Sequence, residues 1–260
     1  MLKSLVPLMK FSLAPGVDQF SALSLPATMK IPLITDELEL LHSLVDLDQG
    51  PQIIELGCGA AQLSRKLLER FPACEVSALE VDERQHAKNL LSRQPRLHFL
   101  QAGAQAIPFE AGRFHLALML KSLHHVPLDL LGQALNEVHR VLRPQGLLYV
   151  SEPVFAGTYN EIMRLFHDEE QVRAAALRAV QQAVAGGAWQ QMAEVFFDTP
   201  VRYRDFADFE QRLIAITYLE HRLDAATLAA VRARFEQHMT PNGAYFERPM
   251  RVNLLRKIEP

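Results

Sequence analysis

Short apolar segments alternate with amphipathic helical segments through residues 50–155, and this alternation most constrains the fold. Segments such as Gln52–Leu56 and Phe114–Leu120 are rich in apolar and β-branched residues, as strands buried on both faces of a sheet are. Between such segments, stretches such as Leu131–Leu142 place apolar residues at helical spacing. Strands that alternate with helices predict a parallel sheet with right-handed crossovers.

The second half of the chain has a different pattern. Residues 159–193 are predicted to be helical, with a break at Gly186-Gly187, and a final strand is predicted at 245–257. Pro249 in that strand favours an edge or bulge position, because proline cannot donate to a sheet ladder. The predicted organisation is an N-terminal lid or cap segment at 1–45, a core at 46–155, a helical cap insertion at 156–193, and remaining strands and helices that complete the core at 194–260.

Composition excludes several classes of protein. The chain has 260 residues, a net charge of −3 and two cysteines, Cys58 and Cys74, which excludes a disulfide framework and a four-cysteine zinc site. The balanced charge argues against a nucleic-acid partner. Its apolar runs are shorter than the ~20 residues that a membrane span needs, and the N-terminus lacks a signal-peptide pattern. We expect a cytoplasmic protein without a metal site, compatible with a homodimer.

A glycine-containing loop follows the first predicted strand. Gly57 and Gly59 lie where a parallel sheet binds ligands, outside the carboxyl ends of its strands. Glu80 follows 23 positions after Gly57, near the ~20-residue spacing at which an acid accepts hydrogen bonds from a ribose diol. Asp82 is the rival acid, but Gln85 three positions later indicates a helix N-cap. We therefore assign Glu80 to the ribose. A dinucleotide fingerprint requires Gly or Ala at the sixth loop position, which is Gln62 here, so an NAD-dependent oxidoreductase is the weaker interpretation.

The chain resembles class I S-adenosylmethionine (SAM)-dependent methyltransferases, of the small-molecule type with a Leu-His-His motif, through four segments in order: IIELGCGAAQLSRKL, EVSALEVDERQ, AIPFEAGRFHLALMLKSLHHV and EVHRVLRPQGLLYVSEP. The resemblance covers about residues 50–155. It implies a Rossmann-like α/β fold with a seven-stranded, mostly parallel sheet, helices on both faces and a helical cap after strand five. It also implies SAM as cofactor, S-adenosylhomocysteine (SAH) as product, and in-line methyl transfer to a small-molecule acceptor.

The resemblance also implies a role for each matching residue. The methionine end of the cofactor would be lined by Glu55, Gly57, Cys58 and Gly59. The ribose would bind Glu80, and the adenine would contact Val81, Gly103, Ala104 and Gln105. The residues beside the sulfonium would be Leu120, Lys121 and Ser122.

Two departures from the family pattern concern the cofactor site. Gly103 stands where the family has an acid that accepts from the adenine amino group, and Gln105 is the candidate to replace it. His115 stands where the family commonly has an aspartate, at a position expected to support the glycine loop. The departures therefore leave a SAM-binding relative without transfer activity as an alternative. A methyltransferase acting on protein or RNA is a second alternative, because fold analogy does not give the acceptor.

Catalysis of methyl transfer needs a base only if the acceptor must lose a proton. The candidates are His124 and His125, after the fourth strand, and Glu152, at the end of the fifth. A neutral imidazole is a suitable base near pH 7. The segment HDEEQ (167–171) is interpreted as a solvated helix face rather than a metal cluster.

The acceptor pocket is predicted to lie between the N-terminal segment and the cap insertion. Its candidate lining residues are Phe20, Tyr159, Met163, Trp189, Tyr218 and Phe246. Arg248, in the final strand, is the candidate to meet an acidic acceptor.

Overall fold

The computed structural model describes residues 31–214 and 223–259. Within these ranges the chain forms eight strands: β1 (Gln52–Leu56), β2 (Glu75–Glu80), β3 (Leu97–Gln101), β4 (Phe114–Leu120), β5 (Leu142–Pro153), β6 (Trp189–Tyr203), β7 (Met239–Thr240) and β8 (Gly243–Lys257). The predicted lid segment 1–45 is described only from residue 31 onward.

The helices connect and flank these strands. Their bounds are α1 (Glu37–Leu44), α2 (Gln62–Arg70), α3 (Glu83–Leu91), α4 (Leu131–Val141), α5 (Gly157–Met163), α6 (Glu170–Ala185), α7 (Phe206–Phe209) and α8 (Ala225–Glu236). Short 3₁₀ turns cover Leu123–His125 and Leu128–Leu130, and a π-helical turn, Glu210–Ile214, follows α7. Four helices begin at an aspartate whose carboxylate accepts from backbone N–H groups of the first turn, at Asp36, Asp82, Asp205 and Asp224.

Seven strands lie in the order β3-β2-β1-β4-β5-β8-β6, and β7 pairs with β8. The strands from β3 to β5 are parallel, whereas β8 is antiparallel to its neighbours. The predicted Rossmann-like, mostly parallel sheet is therefore confirmed. The strand order reverses between β1 and β4, so a ligand crevice is expected at the carboxyl ends of these two strands.

Helices cover both faces of the sheet. On β1, Ile53 belongs to an apolar cluster with α1 and α2, whereas the adjacent Ile54 belongs to a second cluster with α4 and α6. A third cluster, rich in aromatic rings, joins α5, α7 and α8 to the ends of β6 and β8. This third cluster holds α5 beside the carboxyl ends of the strands. None of the described helices is long and apolar enough to cross a bilayer.

Two expectations for the second half are wrong. The helix α6 ends at Ala185, which confirms the predicted break at Gly186-Gly187, and Gly187 adopts a left-handed backbone conformation that stops the helix. Residues 189–193, however, were predicted to be helical and belong to β6. Pro249 does not lie on an edge strand, since β8 runs between β5 and β6. The carbonyl of Pro249 accepts a hydrogen bond from the N–H of Val154, the residue that follows the end of β5. Pro249 therefore lies where the pairing of β5 with β8 ends, and its lack of an N–H removes no hydrogen bond from the middle of the sheet.

Candidate active site

The loop after β1 approaches the segment after β4 very closely. Gly57 and Gly59 have positive φ angles of 70° and 52°. A Cβ atom on Gly57 would lie 2.7 Å from the Cβ of Ser122, whose hydroxyl donates to the Leu56 carbonyl at 2.7 Å. A Cβ on Gly59 would meet nothing within 4 Å. The loop thus needs glycine at position 57 for packing, and at position 59 it leaves an open backbone surface.

Glu80 holds this loop from the end of β2. Its Oε2 accepts from the Gly59 N–H at 2.7 Å, and its Oε1 accepts from the N–H groups of Val81 and Asp82, both at 2.9 Å. A carboxylate oxygen has about two lone-pair sites, so only Oε2 keeps a free one. Glu80 therefore has room for one further donor, rather than for both hydroxyls of a diol. Asp82 caps α3 through the N–H groups of Arg84 and Gln85, as predicted.

Asn89 on α3 supports the glycine loop through a hydrogen bond, and the sequence analysis did not predict this role. Its side chain is buried on α3, and its Nδ2 donates to the carbonyl of Gly59 at 2.7 Å. Its only sequence signal is a polar residue on the inner face of a helix.

A cavity of about 770 Å³ lies at the carboxyl ends of the strands. One wall consists of the glycine loop, the end of β2 and the segment after β4, and the opposite wall consists of α5, the start of α6 and β8. Its lining includes Gly57, Cys58, Gly59, Glu80, Leu120, Lys121, Ser122, His124, His125, Tyr159, Asn160, Met163, His167, Glu169, Arg173 and Arg248.

Seven of the twelve predicted cofactor residues thus line this cavity. The other five lie outside its lining: Glu55, Val81, Gly103, Ala104 and Gln105. Glu55 is buried beneath the loop, where the hydroxyl of Ser64 donates to it. Burial raises the pKa of Glu55 to about 7. Val81 is largely exposed, next to Glu80.

Gln105 fills the space beside Gly103. A Cβ atom built on Gly103 would lie 2.5 Å from Oε1 and 2.6 Å from Nε2 of Gln105. The carboxamide of Gln105 thus occupies the space that a side chain at position 103 would take. The contact of Gln105 with the adenine amino group stays a prediction.

His115 does not support the glycine loop, contrary to our expectation. It lies near the amino end of β4, and its Nδ1 accepts from the Gln52 N–H at 3.0 Å at the start of β1. Its Nε2 lies 2.7 Å from the Arg143 guanidinium. The loop lies at the opposite end of β1, so the departure at His115 leaves the cavity unchanged. Burial, and then the charge of Arg143, lower the pKa of His115.

His124 is buried between two carboxylates from different elements. Its Nδ1 is hydrogen-bonded to Glu152 at the end of β5, and its Nε2 lies 3.4 Å from Glu169, just before α6. Burial disfavours the imidazolium, but the hydrogen bonds to Glu152 and Glu169 outweigh it and raise the pKa of His124 to about 9. His124 is therefore a cation at neutral pH. It cannot serve as the neutral base predicted from the sequence.

His125 lines the cavity and is exposed. Partial burial of its ring, followed by the charge of the neighbouring His124, lowers its pKa. The two ring centroids are 4.0 Å apart. Glu152 is outside the cavity lining and binds His124 and the Leu123 N–H instead. Of the three candidate bases, His125 alone combines a neutral ring with access to the cavity.

Glu169 is the exception to the predicted solvated face of HDEEQ, in which Asp168, Glu170 and Gln171 are exposed. It is buried, accepts from His167 at 2.8 Å, and is bound in addition by the Arg173 guanidinium. Burial raises its pKa, but the hydrogen bonds from His124 and His167 and the charge of Arg173 hold it well below the usual range. The pattern of charges in sequence could not reveal this, because the partners come from three separate elements.

Three side chains of this group are close enough to hold a metal ion. The ligand atoms of His124, His125 and Glu169 lie within 4.8 Å of one another. His124 and Glu169 already form an ion pair, and Arg173 also binds Glu169. Because Glu169 is already paired with the cations His124 and Arg173, we interpret the group as an ion-pair network rather than as a metal site.

The acceptor candidates divide into three groups. Tyr159, Met163 and Arg248 line the cavity. Phe246 is buried in the aromatic cluster, and Trp189 packs on His139 in the core, so neither reaches the cavity. Phe20 and Tyr218 lie outside the described residues.

Residues 53–146 match the family model of the methyltransferase domain. The chain is 27% identical over 128 residues to methyltransferase GfsG of Streptomyces halstedii, which covers 48% of this chain and 45% of the relative. It is 27% identical over 154 residues to demethylmenaquinone methyltransferase of Chlamydia muridarum, which covers 58% of this chain and 62% of the relative. The chain thus spans about half the length of these curated relatives.

The fold is shared more widely than the sequence. The crystal structure of YcgJ protein from Bacillus subtilis matches 86% of this chain and 98% of its own chain, with a TM-score of 0.62 at 16% identity. The match extends well beyond the methyltransferase domain region, so it supports the Rossmann-like architecture of the chain through β6 and β8.

Proposed function

We propose that this chain is a SAM-dependent methyltransferase that acts on a small-molecule acceptor. One observation carries the proposal: the glycine loop, the acid at the end of β2 and the segment after β4 meet at one cavity, within a region that matches the methyltransferase domain. The relative named demethylmenaquinone methyltransferase supports a small-molecule acceptor. A cavity of about 770 Å³ fits the size range of small-molecule sites.

The residues present fit a SAM molecule. The open backbone at Gly59 allows close approach of a ligand without an intervening side chain. The free lone pair on Oε2 of Glu80 suits one ribose hydroxyl. When bound, SAM supplies an electrophilic methyl group on a positively charged sulfur. Leu120, Lys121 and Ser122 are the residues we assign to the sulfonium region.

The chain contributes to the reaction mainly by positioning. In-line displacement from a sulfonium has a good leaving group, so holding the acceptor in line supplies most of the acceleration. Where the acceptor must lose a proton, we assign the base to His125. His124 acts as a positioning residue, because its imidazolium joins β5 to the start of α6.

Calorimetric titration with SAM, SAH and NAD in parallel tests the proposal. Micromolar binding of SAM and SAH without NAD is the expected result. Binding of NAD alone would replace the proposal by a dinucleotide-dependent reaction, and binding of none of the three would overturn it. Release of SAH from SAM in the presence of candidate small acceptors, compared with RNA and protein, then separates a methyltransferase from a binding protein.

A further inference from the structure

Two hydrogen-bond donors on the cap side of the cavity have no protein partner among the described residues. One is the guanidinium of Arg248 on β8, for which the described part of the chain provides neither a hydrogen bond nor an ion pair. The other is Nδ2 of Asn160 on α5, which is buried and unpaired. An unpaired buried donor is costly, so such groups usually mark a missing acceptor.

The orientation of the Asn160 amide is fixed by its neighbour. Its Oδ1 lies 3.0 Å from a guanidinium nitrogen of Arg173. Arginine can only donate, so the atom facing Arg173 is the oxygen and the unpaired atom is the nitrogen. Both unpartnered groups on this wall are therefore donors.

The charged side chains that the structure describes at this end of the cavity leave Arg248 unbalanced. Arg173 and the imidazolium of His124 are matched by the carboxylates of Glu169 and Glu152. Tyr159 also lines the cavity, and its hydroxyl is hydrogen-bonded to the hydroxyl of Tyr203 at 2.8 Å. These four charges balance one another, and within residues 31–214 and 223–259 no carboxylate pairs with Arg248. The charge of Arg248 is therefore the one that we assign to a ligand.

We propose that the methyl acceptor carries an anionic oxygen group, a carboxylate or a phosphate, that binds Arg248 and Asn160. This inference rests on the proposed function, since it names the class of acceptor that the same cavity receives. An anion accepts from both unpartnered groups and neutralises the guanidinium. A planar guanidinium suits carboxylate and phosphate oxygens equally, so the shared chemistry is an oxyanion.

The test is calorimetric titration of the whole 260-residue chain, alone and saturated with SAH. The probes are hexanoate and hexyl phosphate, with hexanamide and hexanol as their neutral counterparts. We expect one anionic probe to bind at least ~10-fold more tightly than its neutral counterpart. The probe that does so distinguishes a carboxylate from a phosphate ester.

The variants assign the effect to Arg248. Arg248→Met should abolish the preference for the anion, whereas Arg248→Lys should retain part of it. Asn160→Asp should weaken the preference, because it replaces a hydrogen-bond donor with an acceptor. Arg256→Met is the matched control, because Arg256 lies on the same strand but pairs with Gln190 outside the cavity lining. It should leave the preference unchanged.

The outcomes separate this inference from the proposed function. Normal SAH binding with no preference for either anionic probe, or a preference that survives Arg248→Met, overturns the anionic acceptor alone. Failure of SAM and SAH to bind, with an Arg248-dependent preference for anions intact, overturns the methyltransferase and leaves an anion site.

Discussion

Nδ1 of His124 is hydrogen-bonded to the carboxylate of Glu152, and this contact turns the other ring nitrogen toward Glu169. Two neighbouring histidines therefore have opposite properties. His124 is buried, charged and paired, whereas His125 reaches the cavity with a lowered pKa. The pairing also ties the end of β5 to the helical segment that forms the opposite wall of the cavity.

The first prediction concerns the titration of these two rings. In ¹⁵N NMR spectra of the imidazoles, His124 should stay protonated through pH 8 and titrate near 9, while His125 should titrate below its ordinary 6.5. Assignment uses His124→Gln and His125→Gln. Glu152→Gln should lower the pKa of His124, because it removes a charged acceptor. Two rings that both titrate near 6.5 would contradict the network.

The second prediction concerns stability against pH. The folded-state pKa of His124 is raised from 6.5 to about 9, so its contribution is complete below about 6.5 and is lost as pH rises through 9. The pKa of Glu169 is lowered, so its contribution is present above about 4.5 and is lost as pH falls. We expect His124→Gln to cost about 3–5 kcal/mol at neutral pH by leaving buried carboxylates unpaired.

Urea unfolding from pH 5 to 9.5 measures this effect as the difference between wild type and His124→Gln. That difference should shrink between pH 7 and 9.5. His98→Gln is the matched control, because His98 forms an exposed pair with Glu75 that should contribute little. A constant difference across the pH range would mean that His124 is neutral in the folded protein.

The third prediction concerns Glu80. Glu80→Ala should weaken SAH binding by ~1.5–3 kcal/mol, because it removes a charged acceptor and releases the N–H of Gly59. Glu75→Gln, at the other end of β2, should leave SAH affinity unchanged. Titration calorimetry on both variants measures the difference. An unchanged affinity for Glu80→Ala would remove Glu80 from the ribose role.

The sequence predicted the parts of the molecule that local chemistry determines. The apolar strands from β1 to β5, the cap at Asp82 and the positions of Gly57 and Gly59 follow from short-range patterns that need no tertiary information. The strand order was not predicted, because residue patterns do not show which strands are neighbours in the sheet.

Contacts between distant segments were not accessible in the same way. The ion pair of His124 and Glu169 joins residues 45 positions apart, so the helical charge pattern around Glu169 suggested solvent exposure. His115 was misplaced because its expected role came from the family resemblance, whereas its position as the second residue of β4 puts it at the amino end of the strand, away from the loop. The start of β6 was missed because polar and apolar residues at 189–193 fit a helix as well as a strand.

The last prediction concerns Gly103 and Gln105. A side chain at position 103 must displace the Gln105 carboxamide, since its Cβ would lie 2.5 Å from Oε1. Gly103→Asp alone should therefore not tighten SAH binding. Gln105→Ala should weaken binding by ~0.5–1.5 kcal/mol, the net value of one hydrogen bond. The double variant should recover the loss, because the new carboxylate takes the vacated place.

S-inosylhomocysteine, which lacks the adenine amino group, provides the control for this contact. Its affinity should be equal for the wild type and Gln105→Ala if Gln105 accepts from that amino group. Tighter SAH binding by Gly103→Asp alone would mean that Gln105 moves away freely and leaves the adenine edge without an acceptor. Equal losses for SAH and its inosine analogue would instead mean that Gln105 acts by packing.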